Sequence, residues 1–241
     1  MNIIKLNAIN STNDYLKELM AKQYVENFTI VTAVHQTAGR GQMGSEWNAE
    51  AGKNLTFSVL IKDLLLKPED IFLLNAAVAV SCSEAIESHL DNIFIKWPND
   101  ILAGNKKIGG ILVENSIKSH GEIYSVAGIG MNINQKDFYG LPKASSLFIE
   151  TGKEYDIEDV MLDIIACLKR NVAMLINGAK NDIWQKYHQR LYKKNVPMPF
   201  EKDGHRFMGI IKEVNRNGKL QVLLEDDRIA EYGLKEIQLL Y

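Results

Sequence analysis

Cysteine is scarce in this chain of 241 residues, which contains Cys82 and Cys167 alone and has a formal net charge of −2. Two cysteines far apart in helical patterns favour reduced, buried thiols over a disulfide framework, so we expect a cytoplasmic protein. Lysine and arginine almost balance aspartate and glutamate, which leaves no electrostatic footprint for DNA, RNA or an anionic membrane. No apolar run is long enough to span a bilayer, and the first residues lack the pattern of a signal peptide.

Signatures of several common enzyme classes are also missing. The Walker pattern Gly-x4-Gly-Lys-Ser/Thr does not occur, and no Ser-His-Asp or Cys-His nucleophile is suggested by context. The five histidines are scattered without metal-ligand spacing, and we retain only His35, which lies beside Gln36 at a predicted strand end. The composition, with 46% hydrophobic and 24% charged residues, is that of an ordinary globular protein.

Hydrophobic patterning predicts an α+β fold with a mixed, mainly antiparallel sheet. A helix begins after Ser11 as its N-cap, and further helices are predicted at residues 71–90, opened by Pro68, and at residues 156–176 and 182–191. Strands are predicted at residues 28–36, 54–62, 92–97, 107–115 and 124–132. The connections between the last three strands are too short for crossover helices, so neighbouring strands should be antiparallel.

The character of the chain changes near Asn195. The segment Val196-Pro197-Met198-Pro199 breaks any helix, and short alternating strands are predicted at residues 209–214, 220–224, 229–232 and 236–240. Strands of this length and spacing are typical of a small β-barrel. We therefore predict two domains, residues 1–192 and residues 193–241.

The segment Gly39-Arg40-Gly41-Gln42-Met43-Gly44-Ser45-Glu46-Trp47 carries three glycines and an arginine between two apolar strand patterns. Glycine at this density disfavours helix and strand, so we predict a mobile loop. The bare backbone N–H groups of such a loop can wrap a small anion. An ordinary surface hairpin is the alternative interpretation of the loop alone, and the motifs elsewhere in the chain weigh against it.

A second motif, Lys96-Trp97-Pro98-Asn99-Asp100, ends a predicted strand with a turn. Lys96 follows three apolar residues, and a charge in so apolar a run needs a partner or a ligand. Asp100 is a candidate for that partner and also for a ligand of Mg²⁺, which prefers carboxylate and phosphate oxygens. A turn with a solvated lysine is the simpler alternative.

Two predicted strands carry glycine in their interiors. Gly109 and Gly110 lie in one strand, and Gly128 alternates with Gly130 in the next. Glycine weakens a strand unless another backbone or a ligand must approach closely there. We therefore predict a flat ligand lying across the sheet, with lysines at its margin.

In combination and in this order, these motifs resemble the biotin protein ligase family. The matching elements are Ser11-Thr12-Asn13, Gln36 with the glycine loop, and residues 96–100, 107–114 and 128–132. The resemblance covers almost the whole chain and implies a catalytic domain related to class II aminoacyl-tRNA synthetases, followed by an SH3-like β-barrel. It also implies that biotin and ATP give biotinyl-5′-AMP and pyrophosphate, after which a lysine of a biotin carboxyl carrier protein attacks the adenylate.

The resemblance assigns roles to individual positions. The positions that hold biotin are Ser11, Thr12, Asn13, Gln36, Arg40, Gly41, Gln42, Lys107, Gly110, Gly128 and Gly130. Those that contact ATP or the adenylate are Arg40, Trp47, Lys96, Asn99, Asp100, Lys107 and Asn132, with Asp100 also the candidate Mg²⁺ ligand. The catalytic cations among them are Lys107, Arg40 and Lys96.

The resemblance also bears on partners. Only ten residues precede Ser11, too few for the DNA-binding helix-turn-helix of bifunctional relatives, so we expect a ligase without repressor activity. The expected partner is the carrier domain of a biotin-dependent carboxylase, and a homodimer is compatible with the family.

Two other functions remain open at this point. A lipoate ligase shares the fold, but lipoate lacks a ureido group and has no need of the polar residues Ser11, Thr12 and Gln36. A regulator that binds biotin or a nucleotide without turnover would need fewer charges than the chain carries in its motifs.

One departure from the family pattern leads to a prediction. The family loop commonly reads Gly-Arg-Gly-Arg, whereas Gln42 replaces the second arginine here. Glutamine can hydrogen-bond but cannot neutralise a phosphate, so Gln42→Arg should retain the adenylate better than the wild type. Release of free biotinyl-AMP from the two proteins measures this. An arginine variant that retains the adenylate no better would contradict the prediction.

Overall fold

The computed structural model describes residues 2–62, 70–117 and 122–241, so Pro68 and one histidine, His120, lie outside the described residues. The helices in these ranges are α1 (Thr12–Lys22), α2 (Ile71–Ile86), α3 (Leu147–Thr151), α4 (Ile157–Ile176) and α5 (Lys180–Gln189). A seven-stranded sheet contains β1 (Ile3–Ile9), β2 (Ile30–Gln36), β3 (Leu55–Ile61), β4 (Ile93–Lys96), β5 (Asp100–Ala103), β6 (Lys106–Ile117) and β7 (Ile123–Met131). A five-stranded C-terminal sheet contains β8 (Pro197–Lys202), β9 (His205–Val214), β10 (Leu220–Leu224), β11 (Ile229–Tyr232) and β12 (Gln238–Leu239).

The seven-stranded sheet is mixed and mainly antiparallel, which confirms the predicted α+β class. Its strand order is β1-β2-β3-β7-β6-β5-β4, in which β1 and β2 pair in parallel and the other neighbours pair antiparallel. Short turns join β4 to β5 and β5 to β6, and these turns are too short to hold a crossover helix. The pairing of β6 with β7 sets Gly110 directly opposite Gly130, so the strand glycines meet at the centre of the sheet.

Helix α2 is apolar around its circumference and buried, as the sequence predicted, although it ends at Ile86. It contacts α4, α5 and strands β4 to β6, and so forms the centre of the core. Its Glu84 carboxylate accepts hydrogen bonds from Arg170 at 2.7 Å and Asn171 at 3.0 Å, and lies 2.9 Å from Lys186. Burial opposes ionisation of Glu84, but these contacts outweigh it and hold its pKa below the ordinary value.

Within the described ranges, no helix has the length and hydropathy needed to cross a bilayer.

Among the helices and strands of the described residues, the sequence analysis did not predict four: β1, β5, α3 and β8. The first lies at the sheet edge with little burial, and β5 and α3 span only four and five residues. Strand β8 contains Pro197 and Pro199, which argue against a strand because they lack N–H donors. The backbone nitrogens of both prolines point to the β12 side of β8. Because β12 contributes only Gln238 and Leu239 there, the missing N–H donors cost few ladder hydrogen bonds.

The C-terminal sheet is joined to the rest of the chain after Leu191. Leu191 forms an isolated bridge with β4, whereas Lys194 forms one with β9. The turn between β9 and β10 packs onto the large-sheet portion, where the Gly218 carbonyl accepts a hydrogen bond from Trp97 Nε1 at 2.9 Å. Gly218 has a φ of +80°, and a Cβ there would overlap the ring of Phe72, so the contact requires glycine.

Candidate active site

A cavity of about 750 Å³ is lined by residues of both sheets. The predicted site residues that line it are Ser11, Thr12, Asn13, Gln36, Arg40, Gly41, Gln42, Trp47, Lys96, Asn99, Asp100, Lys107, Gly110, Gly128 and Gly130. Asn132 does not line it, because its buried side chain donates instead to the Ser145 carbonyl at 2.9 Å. The structure thus brings motifs that are far apart in the sequence to one place.

The N-terminus of α1 presents hydrogen-bonded polar side chains to the cavity. Ser11 caps the helix by accepting from the backbone N–H of Asp14. The backbone N–H and the hydroxyl of Thr12 reach Gln36 Oε1 at 2.8 and 3.1 Å. Ser11 and Thr12 are buried, so a polar ligand meets groups that the fold has already oriented.

Ser58 of β3 belongs to the same polar set, although the sequence analysis did not single it out. It is fully buried, and its Oγ lies 2.6 Å from both Thr12 Oγ1 and Asn13 Oδ1. Alternate residues of a strand share a face, so Thr56 and Ser58 point to the same side of β3. Two polar residues at alternate positions of an apolar strand were the signal that the sequence offered.

The glycines of β6 and β7 make room for protein side chains. A Cβ at Gly128 would lie 2.5 Å from Asn13 Oδ1, and a Cβ at Gly130 would overlap the indole of Trp47. Trp47 also lies over Gly110, with a ring carbon 3.3 Å from the position of a Cβ. The sequence predicted a ligand lying on these glycines; in the structure Asn13 and Trp47 occupy that position, so they line the cavity floor.

The glycine loop has the letters Gly-x-Gly-x-x-Gly of a dinucleotide loop, but its context differs. It joins β2 to β3, whereas a dinucleotide loop leads from a strand into a helix. A short 3₁₀ turn, Gln42–Gly44, lies at its tip. The N–H of Gly41 donates to the Ser45 carbonyl at 2.6 Å, and that of Trp47 donates to Gly39 at 2.9 Å. The loop is therefore a hydrogen-bonded hairpin rather than an unstructured link.

Arg40 of this loop is directed toward α1 and β6. Its Nη2 lies 2.5 Å from Asp14 Oδ1 and 3.4 Å from the carboxylate of Glu114. Lys17 lies 3.0 Å from each of these two carboxylates. Two cations and two carboxylates balance, so this group of four side chains carries no net charge. The predicted contact of Arg40 with phosphate stays a prediction.

At the other end of the cavity, Lys96, Asp100 and Lys107 form a group that we call the lysine cluster. Asp100 Oδ1 lies 2.6 Å from Lys107 Nζ, and Asp100 Oδ2 lies 3.3 Å from Lys96 Nζ. The pairing of β4 with β5 sets Lys96 directly opposite Asp100. Because two ammonium groups share one carboxylate, the cluster keeps a positive charge and favours an anionic ligand.

The family model described as the biotin/lipoate A/B protein ligase family matches residues 6–134, more than half of the chain. The chain belongs to this family. The match covers the polar end of the cavity, the glycine loop and the lysine cluster, and it ends close to Met131, the last residue of β7.

Several proteins similar to this chain are named as biotin ligases or as ligase/repressors. The bifunctional ligase/repressor BirA of Bacillus subtilis is 35% identical over 175 residues, which cover 70% of this chain and 53% of that protein. The biotin--[acetyl-CoA-carboxylase] ligase of Mycobacterium tuberculosis is 34% identical over 122 residues, 49% of this chain and 44% of that protein. The chain spans about half the length of the curated relatives it matches.

Solved structures of biotin protein ligases resemble this chain over almost its full length. The biotin protein ligase of Aquifex aeolicus in complex with biotin and ATP has a TM-score of 0.79 and 27% identity, covering 99% of this chain and 98% of that one. The Leishmania major ligase in complex with biotin has a TM-score of 0.66 and 25% identity, covering 97% and 99%. The C-terminal sheet is thus part of the shared fold.

The cavity of this chain is also lined by residues outside the sequence motifs, among them Lys143, Lys235 and Tyr241. The Nζ of Lys143 lies 4.0 Å from the ring centroid of Tyr241. Burial and, second, the nearby Asp100 carboxylate raise the pKa of Tyr241 to about 12, so its hydroxyl stays protonated at neutral pH. Lys235 donates to the carbonyl of Met43 in the glycine loop at 2.5 Å. These contacts join distant segments, and no local pattern signals them.

The close fit between Gly128 and Asn13 gives a prediction about stability. Gly128→Ala should push the Asn13 amide off β7 and away from Ser58, and lower the free energy of unfolding by about 1–3 kcal/mol, as overpacking does. Urea denaturation followed by circular dichroism measures this. Gly233→Ala is the control, since the atoms nearest to its Cβ would be those of the flexible Glu236 side chain. Equal losses in the two variants would contradict the prediction.

Proposed function

We propose that the protein is a biotin--protein ligase, which activates biotin with ATP to biotinyl-5′-AMP and transfers the biotinyl group to a lysine of a biotin carboxyl carrier protein. The observation that carries the proposal is a single cavity with two chemically distinct ends. One end holds the polar residues at α1, and the other holds the lysine cluster around Asp100. A neutral urea and a charged phosphate require two such environments.

The polar end supports biotin as the acid that is activated. A buried ureido group needs partners for its carbonyl and for its N–H groups, and Ser11, Thr12, Asn13 and Gln36 together supply donors and acceptors. In a lipoate ligase the remaining donors and acceptors of this polar set would meet no polar group of the ligand, because lipoate has no ureido group. The polar end therefore favours biotin over lipoate.

The lysine cluster suits the first half-reaction. A carboxylate oxygen of biotin attacks the α-phosphorus of ATP, and pyrophosphate leaves. Lys107 and Lys96 would stabilise the negative charge on the phosphoryl oxygens as it accumulates. Trp47, Asn99 and Asn132 would contact or support the nucleotide side of the site.

The glycine loop suits the second half-reaction. The amine of the carrier lysine attacks the acyl carbon of biotinyl-AMP, and AMP leaves. Until then the mixed anhydride must be kept from water, and Gly41 and Gln42 border the cavity where the loop would cover it. Arg40 holds the base of this loop through its contacts with Asp14 and Glu114.

Mg²⁺ would enter the site with ATP. Among the residues that the structure describes, no group of three or more His, Cys, Asp or Glu side chains is placed to hold a metal ion. Asp100 offers one carboxylate within the lysine cluster, and one carboxylate together with phosphate oxygens and waters suits Mg²⁺. When bound, the ion would neutralise phosphate charge. We therefore propose Asp100 as its protein ligand.

The fold supports two further proposals. The large-sheet portion, residues 1–192, would be a catalytic domain of the class II aminoacyl-tRNA synthetase type, and residues 193–241 would be an SH3-like barrel. The boundary rests on Leu191, which pairs with β4, and on Lys194, which pairs with β9. The strand order β11-β10-β9-β8-β12 is compatible with a small barrel.

Transfer to a carrier tests the proposed function. The protein is mixed with ATP, biotin and an apo carrier domain of acetyl-CoA carboxylase, the enzyme for which the Mycobacterium and Paracoccus relatives are named. A carrier that gains the mass of one biotinyl group supports the proposal. A gain only with lipoate would identify a lipoate ligase, and biotin binding without any gain would identify a regulator.

The position of Lys107 gives a kinetic prediction. Lys107→Ala should slow pyrophosphate release at saturating biotin and ATP by roughly a hundredfold or more, about 3 kcal/mol, as removal of a charge-stabilising donor does. The neighbouring variant Lys106→Ala is the control, since Lys106 is exposed and donates to the Pro142 carbonyl instead. Adenylate formation at a near-normal rate in Lys107→Ala would remove Lys107 from the catalytic residues.

A further inference from the structure

Glu114 of β6 is contacted by three residues from two segments that border the cavity, α1 and the glycine loop. Its carboxylate lies 2.8 Å from Asn13 Nδ2, 3.0 Å from Lys17 Nζ and 3.4 Å from Arg40 Nη2. The first two belong to α1 and the third to the glycine loop. Because alternate residues share a face of a strand, Glu114 and Gly110 are on the same side of β6, the side that faces the cavity. One carboxylate therefore links helix, loop and sheet.

Glu114 determines which end of the Asn13 amide faces Ser58. The Nδ2 group donates to Glu114 and to the Leu112 carbonyl at 3.3 Å, so both of its N–H bonds have acceptors on β6. The Oδ1 atom is then left for Ser58 Oγ at 2.6 Å, above Gly128. A flipped amide would set its oxygen against the carboxylate of Glu114. The charge of Glu114 thus selects a hydrogen-bond acceptor on the Ser58 side.

Glu114 also takes part in neutralising the arginine of the loop. Arg40 and Lys17 face Asp14 and Glu114, two charges of each sign. Burial lowers the pKa of Lys17, but its hydrogen bonds to Asp14 and Glu114 outweigh this effect and raise the pKa above the ordinary value. Because Lys17 contacts both carboxylates, Asp14, Lys17, Arg40 and Glu114 form one connected group of ion pairs at the base of the loop.

We propose that Glu114 is a positioning residue for biotin, which orients the Asn13 amide and anchors the glycine loop through Arg40. The proposal rests on the proposed function, because it names biotin as the ligand of the polar end. It gives Arg40 an anchoring role and leaves the stabilisation of phosphate charge to Lys96 and Lys107. Loss of the Glu114 carboxylate should therefore disturb the amide and the loop together.

The variant Glu114→Gln keeps the size of the side chain and removes its charge. In the ligand-free protein, amide hydrogen exchange across residues 39–47 should become faster, because the loop loses an anchor while its own hydrogen bonds remain. In pyrophosphate-release assays, the KM for biotin should rise about tenfold, while kcat at saturating biotin changes little. A purely structural role would lower thermal stability without this division between KM and kcat.

Matched variants separate the anchor from general effects of charge. Glu158→Gln removes an exposed carboxylate that lies 2.7 Å from Lys5, away from the cavity, and should change neither loop exchange nor the KM for biotin. Arg40→Met should speed loop exchange as Glu114→Gln does. The double variant should be little faster than Arg40→Met alone, because Arg40→Met already removes the Arg40–Glu114 contact together with the Arg40–Asp14 contact. Arg40 is exposed, so Arg40→Met keeps the test available if Glu114→Gln does not fold.

Two outcomes would overturn the proposal. Unchanged loop exchange in both Glu114→Gln and Arg40→Met would exclude the anchor, and a fall in kcat with an unchanged KM for biotin would exclude the positioning of Asn13. Failure of the proposed function is recognised separately, as a wild-type protein that neither binds biotin nor releases pyrophosphate. In that case hydrogen exchange in the ligand-free variants still decides whether Glu114 anchors the loop.

Discussion

The packing of two side chains on bare glycine backbone sets the geometry of the whole site. Asn13 lies on Gly128 and Trp47 lies on Gly130, at positions where a Cβ would collide with them. The first contact holds the N-terminus of α1 against the large sheet, and the second holds the end of the glycine loop there. These elements come from separate parts of the chain, and both glycines leave the room in which the polar residues and the loop meet at one cavity.

Charge is distributed unevenly along the cavity, and this distribution distinguishes its two ends. At the α1 end, the cations Arg40 and Lys17 are matched by carboxylates, which suits a neutral polar group. At the other end, Lys96 and Lys107 share the single carboxylate of Asp100, which suits phosphate. The lysine end therefore favours an anionic group, and the α1 end favours a neutral polar group.

The C-terminal sheet is part of the cavity wall and does more than follow the large sheet in sequence. Lys235 contacts the glycine loop, and Tyr241 packs against Lys143 beside the lysine cluster. Trp97, the neighbour of Lys96, donates to the turn between β9 and β10. The motif at residues 96–100 therefore contacts the cavity with its charged residues and the C-terminal sheet with its tryptophan, so the position of one sheet constrains the other.

Features that depend on near neighbours along the chain were determined by the sequence alone. The Ser11 cap, the buried helix α2 and the antiparallel pairing follow from local spacing and residue type, whereas most positions that line the cavity were assigned by the resemblance to biotin protein ligases. The contacts of Ser58, Glu114 and Tyr241 were decided only by the tertiary structure, since they depend on which faces of distant elements meet. Arg40 shows the same limit: an arginine in a glycine loop can pair with phosphate or with carboxylates. Only the packing of α1 and β6 brings two carboxylates within its reach.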